Sequence, residues 1–187
     1  VTWWRRTHFE NSMIDALLHR EHTSYREIGQ RAVAYTLERA GLQFTMDEVR
    51  FLVAQIEQLK PFPDVPEALA RLRKRYKIAV LSNGDPDMLA VAVKSAGLHD
   101  LLAPVISVHP TRRFKTDPAT YALGTAALGL PAAQILFVSS NGWDAIGATW
   151  FGYTTLWVNR AGLPLEQLDT QPTRIGSSLR DVLGFFP

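Results

Sequence analysis

The stretch ILFVSSNGWDAIGATWFGY, Ile135 to Tyr153, runs from an apolar segment into two hydroxyls (Ser139, Ser140) and an amide (Asn141). One turn into what reads as a helix it adds a carboxylate, Asp144. Two other apolar segments end in the same way. IAVL, Ile78 to Leu81, is followed by Ser82 and Asn83; VISV, Val105 to Val108, is followed by His109, Arg112, Arg113 and then Lys115. Open parallel sheets bind ligands outside the carboxyl ends of their strands, so these residues share one expected edge. Hydroxyls and amides donate hydrogen bonds and an ammonium supplies charge, a set suited to receiving a small anion. Each residue alone also has a structural use. Ser and Asn serve turns and caps, and an Asp in a first helical turn favours the dipole. A loop Lys is commonly solvated, and Tyr121 on a helix usually packs. The coincidence at three strand ends makes the group a candidate site.

Placing those residues together requires strands that alternate with helices. After KPFPDVP, Lys60 to Pro66, the pattern predicts a helix over 66–74 and a buried strand over 77–83. A helix follows from Asp85 as cap to Gly97 as stop, then a short strand at APVISV. Asp117 caps a further helix that Gly129 ends, the strand at Ile135 and its helix come next, and TTLWVN, Thr154 to Asn159, is the last strand read. This order implies parallel βαβ units and an α/β sheet covered on both faces. The first third reads differently. A helix is expected over 10–20. SYRE at Ser24 and TMDE at Thr45 read as capping boxes that open two more, one stopped by Gly41, the other running to about Leu59. The prolines after it suggest a hinge.

Composition narrows the classes. With 47% apolar and 20% charged residues, the 187-residue chain has ordinary globular usage and enough material for a core. The formal charge is +2 and the densest basic cluster, RLRKRYK at Arg71 to Lys77, sits at an expected helix end, so no nucleic-acid partner is expected. Cysteine is absent, which excludes disulfides and thiolate chemistry. No stretch approaches a membrane span, and the first residues carry neither an apolar signal core nor a cleavage pattern. The expected location is the cytoplasm.

LSNG at Leu81, KTDPATY at Lys115 and VSSNGWDA at Val138, followed by FG and NR, resemble the haloacid dehalogenase superfamily, in particular its L-2-haloacid dehalogenase branch. The resemblance covers nearly the whole chain. It implies a Rossmann-like parallel-sheet core at 61–187 and a helical cap at 1–60. It also implies hydrolytic dehalogenation of short L-2-haloacids to D-2-hydroxyacids through an aspartyl ester. Carried over, Ser82 bonds the substrate carboxylate and Lys115 neutralises and orients the nucleophile. Ser139 and Asn141 position carboxylates, and Asp144 serves the hydrolytic water. Arg5, helped by Asn83, receives the halide, Tyr121 bonds near Lys115, and Phe9 and Trp143 line the pocket around the halogen-bearing carbon. Phosphatases of this superfamily hold Mg²⁺ between several carboxylates. Here the corresponding place reads Ser139, Ser140 and Asn141, so no metal and no cofactor are expected. The implied partners are the haloacid and a halide, with a homodimer possible.

The family's nucleophile is an Asp that closes an apolar first strand before a Gly-Thr turn. Asp64 lies in the proline hinge, and Asp85 and Asp117 cap helices; none has that setting. The expectation is a chain that begins within the cap, lacks the central first strand and does not turn over by itself. Two other readings stay open: a non-catalytic anion-binding module and a phosphatase of the same fold.

Overall fold

The computed structural model describes residues 2–18 and 21–186. Helices come first: α1 (Thr2–Leu17), α2 (Tyr25–Arg39) and α3 (Met46–Ala54), which tightens into a 3₁₀ turn at Gln55–Gln58. α1 starts well before the expected position 10, and positions 19 and 20 lie outside the described residues. The Thr45 box is complete: its hydroxyl accepts the Glu48 N–H, and Glu48 accepts the Thr45 N–H at 2.7 Å. The Ser24 box is only half made. Ser24 accepts the Glu27 N–H at 3.1 Å, but the Glu27 carboxylate turns outward to Arg31, 2.5 Å away, because a full charge one turn on competes with a backbone N–H. The helices pack through Val33, Val49 and Val53, with Trp4, Leu37 and Phe44 against them.

From Val65 helices and strands alternate: α4 (Val65–Arg73), β1 (Val80–Ser82), α5 (Pro86–Ser95), β2 (Val105–Ser107) and α6 (Pro118–Leu128). Then come β3 (Leu136–Ser139), α7 (Gly142–Phe151), β4 (Thr154–Val158) and β5 (Arg174–Gly176). β5 is unmarked in the sequence, since RIG has no apolar run and Ile175 is exposed. The strand expected over 77–83 is regular only at its last three positions. Asp117 caps α6 as read, accepting the Ala119 N–H at 2.8 Å. Asp85 does not cap its own helix. Its oxygens accept the N–H groups of Tyr25 and Arg26, at 3.1 and 2.9 Å, so it caps α2 from across the molecule.

All pairing is parallel. β1 pairs with β2 in the register Val80↔Val105, β3 with β4 at Leu136↔Thr154, and β4 with β5 at Leu156↔Arg174. Among the described residues no ladder joins β1 to β3, and the sheet is therefore in two pieces. A cleft of about 760 Å³ lies between them, walled by Val80–Ser82 and Leu136–Ser139 and closed below by Leu69, Leu72, Val182 and Phe186. Peptide groups on a strand alternate between its two sides. The Val80 N–H and Ser82 carbonyl are spent on the β2 side, so those of Leu81 face the cleft.

The C-terminal segment is tied back to the hinge by one carboxylate. Asp64 Oδ2 accepts from Arg160 at 2.8 Å, Ser178 Oγ at 3.0 Å and the Leu179 N–H at 2.7 Å. The Arg160 guanidinium, with these donors, holds the Asp64 carboxyl well below the usual carboxylate range. A depressed folded-state pKa contributes stability that is complete above about pH 4 and lost as pH falls further. Asp64→Ala is expected to cost about 2 kcal/mol in urea denaturation near neutral pH, and the difference from wild type should shrink in acid.

Candidate active site

The centre of the site is a buried ion pair. Lys115 is only 5% exposed, Asp144 likewise, and their charges meet at 3.2 Å. An unpaired ammonium would not be tolerated there. Besides Asp144, Lys115 Nζ donates to the Leu81 carbonyl at 2.8 Å, using the backbone group that β1 leaves facing the cleft. Burial pulls the Lys115 ammonium down from its ordinary value, and Asp144 opposes that. An ammonium has three N–H donors and two are assigned here, which leaves one for an anion in the cleft. The ring of Phe137 lies 4.7 Å from Nζ.

Asp144 is held from three elements. Its Oδ2 also accepts from Ser139 Oγ at 2.9 Å, and its Oδ1 accepts from the Tyr121 hydroxyl at 2.9 Å. Burial, then the negative Asp144, push the Tyr121 phenol far above its ordinary range, so it stays a donor. Tyr121 is fixed in turn through its carbonyl, which accepts from Tyr153 at 2.6 Å.

The turn from β3 into α7 is shaped by its own hydroxyl: Ser139 Oγ accepts the Asn141 N–H at 3.2 Å. Asn141 stands at the N-cap of α7 without capping it by its side chain; its Oδ1 instead accepts from Arg5 of α1. A Cβ at Gly142 would fall 2.6 Å from the tip of the exposed Glu166 side chain, which would have to swing aside. On β1, Ser82 Oγ accepts the Gly84 N–H at 3.2 Å, which leaves its own proton to donate. Asn83 Oδ1 accepts the Lys115 N–H at 2.9 Å and so ties the β1 turn to the lysine.

Ser82, Asn83, Lys115, Ser139, Asn141, Trp143 and Asp144 thus line one cleft, with Tyr25 of α2 on its rim. Tyr121 stands behind it and acts on it through Asp144. Arg5 and Phe9, both on α1, reach it through Asn141 and through a 4.0 Å stack on Trp143. Asn83 keeps its amide N–H groups for a ligand, its oxygen being tied to the Lys115 backbone. His109 and Arg112 belong to the loop after β2 rather than to the lining, and Arg113 lies 3.7 Å from Asp117. Two contributors were not legible in sequence. Tyr25 sits inside the SYRE stretch read only as a cap, and the Leu81 carbonyl has no residue type to mark it. Of the carboxylates, Asp144 alone lines the cleft among the described residues; Asp64, Asp85 and Asp117 are engaged elsewhere.

The model of the haloacid dehalogenase-like hydrolases matches residues 3–152. An (S)-2-haloacid dehalogenase of Pseudomonas sp. (strain YL) is 36% identical over 184 residues, covering 98% of this chain and 79% of the relative. A crystal structure of an L-2-haloacid dehalogenase superposes with a TM-score of 0.94 at 41% identity, covering 98% of this chain and 83% of that one. The Xanthobacter autotrophicus L-2-haloacid dehalogenase, solved with chloropropionic acid covalently bound, gives 0.89 at 34% identity, covering 96% and 82%. With Lys115 and Asp144 buried as a pair at the strand ends and the match running along nearly the whole chain, this protein belongs to the haloacid dehalogenase-like hydrolases and, within them, to the (S)-2-haloacid dehalogenase family.

Proposed function

We propose that the cleft serves hydrolytic dehalogenation of short L-2-haloacids to D-2-hydroxyacids, with residues 1–60 as a cap over a core of 61–187. The observation that carries this reading is the buried Lys115, paired with Asp144 and with one N–H left for an anion. A carboxylate oxygen attacks the halogen-bearing carbon from the face opposite the halogen. The new C–O bond forms as the carbon–halogen bond breaks, and the halide leaves with the bonding pair. Water then attacks the carbonyl carbon of the ester, releasing the hydroxyacid and regenerating the carboxylate. An anionic nucleophile meeting an anionic substrate needs cations and donors to offset repulsion.

In this reading Lys115 neutralises and orients the nucleophile, and Ser82 donates its free proton to the substrate carboxylate. Ser139 and Asn141 position the carboxylates, and Asp144 orients the hydrolytic water. Arg5 receives the halide with the amide of Asn83, Tyr121 braces Asp144, and Phe9 and Trp143 give the carbon an apolar wall. The covalent adduct of the Xanthobacter relative supports the ester step. Asp64, Asp85 and Asp117 are committed to Arg160, α2 and α6, so none is assigned the attack. The attacking carboxylate is assigned to the space between β1 and β3, beside Lys115. A phosphatase reading needs Mg²⁺ among several carboxylates; the cleft lining has Asp144, already neutralised by Lys115, and does not fit. A cytoplasmic location and a homodimer belong to the same proposal and rest on the family resemblance alone.

Halide release from L-2-chloropropionate is the test. The 187-residue chain alone is expected to show none, and a version carrying an added strand that ends in Asp between β1 and β3 is expected to turn over, with or without chelator. Turnover by the short chain near the rate of the longer one overturns the assignment, and Mg²⁺ dependence overturns the metal-free site. In the active version, Arg5→Lys is expected to lower kcat by about 10²-fold. Removing one partner of a buried ion pair strands the other, so Lys115→Met is expected to cost about 3 kcal/mol of stability in urea titration.

A further inference from the structure

The joint between the helical part and the sheet part uses groups for which the reaction has no role. Asp85 follows Ser82 and Asn83 in the turn after β1, yet its oxygens hold the first N–H groups of α2. Arg26, at the start of α2, adds ion pairs to Asp87 at 2.8 Å and Glu57 at 3.0 Å. Just before α2, His22 lays its ring 5.0 Å from Phe114 and, edge-on, 5.0 Å from His109. Phe114 is fully buried and directly precedes Lys115. Both ring nitrogens of His22 are shielded from solvent and meet no hydrogen-bonding partner among the described residues.

The groups that face His22 come from three places. His109 and Arg112 belong to the loop after β2, Asp85 to the turn after β1, and Asp15 to α1. A neutral imidazole against Phe114 leaves one N–H and one lone pair unpaired, which costs less than burying a charge. An imidazolium in the same place carries two buried N–H donors without acceptors, and His109 and Arg112 add like charge. Asp15 and Asp85 pull the other way, more weakly than burial; Asp85 is hydrogen-bonded to α2 and its Oδ1 lies 3.7 Å from His109 Nδ1. Burial is the largest effect, and it lowers the His22 pKa below the ordinary histidine value.

We propose that His22 is a proton-operated latch: neutral, it locks residues 21–24, just before α2, onto the loop carrying Phe114 and Lys115, and protonated, it loosens the start of α2 from the edge of the cleft. The sign follows from the depressed value. The contact is complete above about pH 6.5 and is lost as pH falls through the lower value of His22 itself. The latch does not depend on which anion the cleft receives, so its test is separate from the dehalogenase assay.

Hydrogen-exchange mass spectrometry on the 187-residue protein, at about pH 7.5 and about pH 5 and corrected for intrinsic rates, reads the latch directly. Protection at 21–26 and 109–114 is expected to fall by up to roughly tenfold per pH unit below the His22 midpoint, while β4 and α7 hold theirs. His22→Phe keeps a ring against Phe114 and removes the His22 titration; the acid loss of protection at these segments is expected to be largely abolished, leaving only the response of His109 beside Asp85. In wild type, the His22 ring proton is expected to titrate below about pH 6.5 by NMR. An equal acid response in His22→Phe, undiminished protection of wild type in acid, or a His22 midpoint at or above the ordinary value each overturns the proposal. The two wild-type readouts decide the matter if the variant does not fold.

Discussion

An ammonium cannot be buried without compensation, and the arrangement around Lys115 is the answer to that constraint. Asp144 supplies the counter-charge and the Leu81 carbonyl a second acceptor. Asp144 must itself be desolvated, so it draws on Ser139 from the end of β3 and Tyr121 from α6. The backbone of Lys115 is pinned by Asn83 from the end of β1. Two strand ends, the loop after β2 and two helices are thereby tied to one pair of charges. In a low-dielectric setting such a network is strong when every member is satisfied and costly when one is removed.

The same network faces the helical part through contacts aimed at its own turns. Arg5 reaches Asn141, Phe9 stacks on Trp143, and Asp85 in the turn after Asn83 holds the start of α2. None of these is a large apolar interface. The apolar clusters are separate: Val33, Val49 and Val53 inside the helical part, and Leu72, Leu156, Val158 and Val182 at the far side of the sheet. Ile28, Val108 and Phe114 form the small cluster between the parts. The 3₁₀ turn at Gln55–Gln58 also packs along α5, so the joint combines polar contacts, this packing and one small apolar cluster, and it lies directly beside the lysine. The joint and the charges of the site are therefore adjacent in the chain.

The cleft between β1 and β3 completes the picture. Its walls are strand edges whose backbone groups look inward, and its mouth carries the ammonium, the hydroxyls and the amides. An anion matches such a mouth by charge.

Much of this was legible in the residues alone. Apolar runs bounded by Gly, Pro and Asp marked the order of helices and strands, because burial and turn geometry act over a few residues. VSSNGWDA and LSNG marked the site, because residues at strand ends share an edge in any parallel sheet. Tertiary structure decided the rest. Asp85 looks like the cap of α5 and caps α2 instead; the Ser24 box looks complete and is half made. β5 has no apolar signature and is a strand only because β4 offers it an edge. The Leu81 carbonyl, which shares Lys115 with Asp144, belongs to a residue type with no polar side chain at all. Local propensity reads what a residue prefers near itself, whereas a charge, an edge or a carbonyl is satisfied by whichever partner the fold brings within about 3 Å.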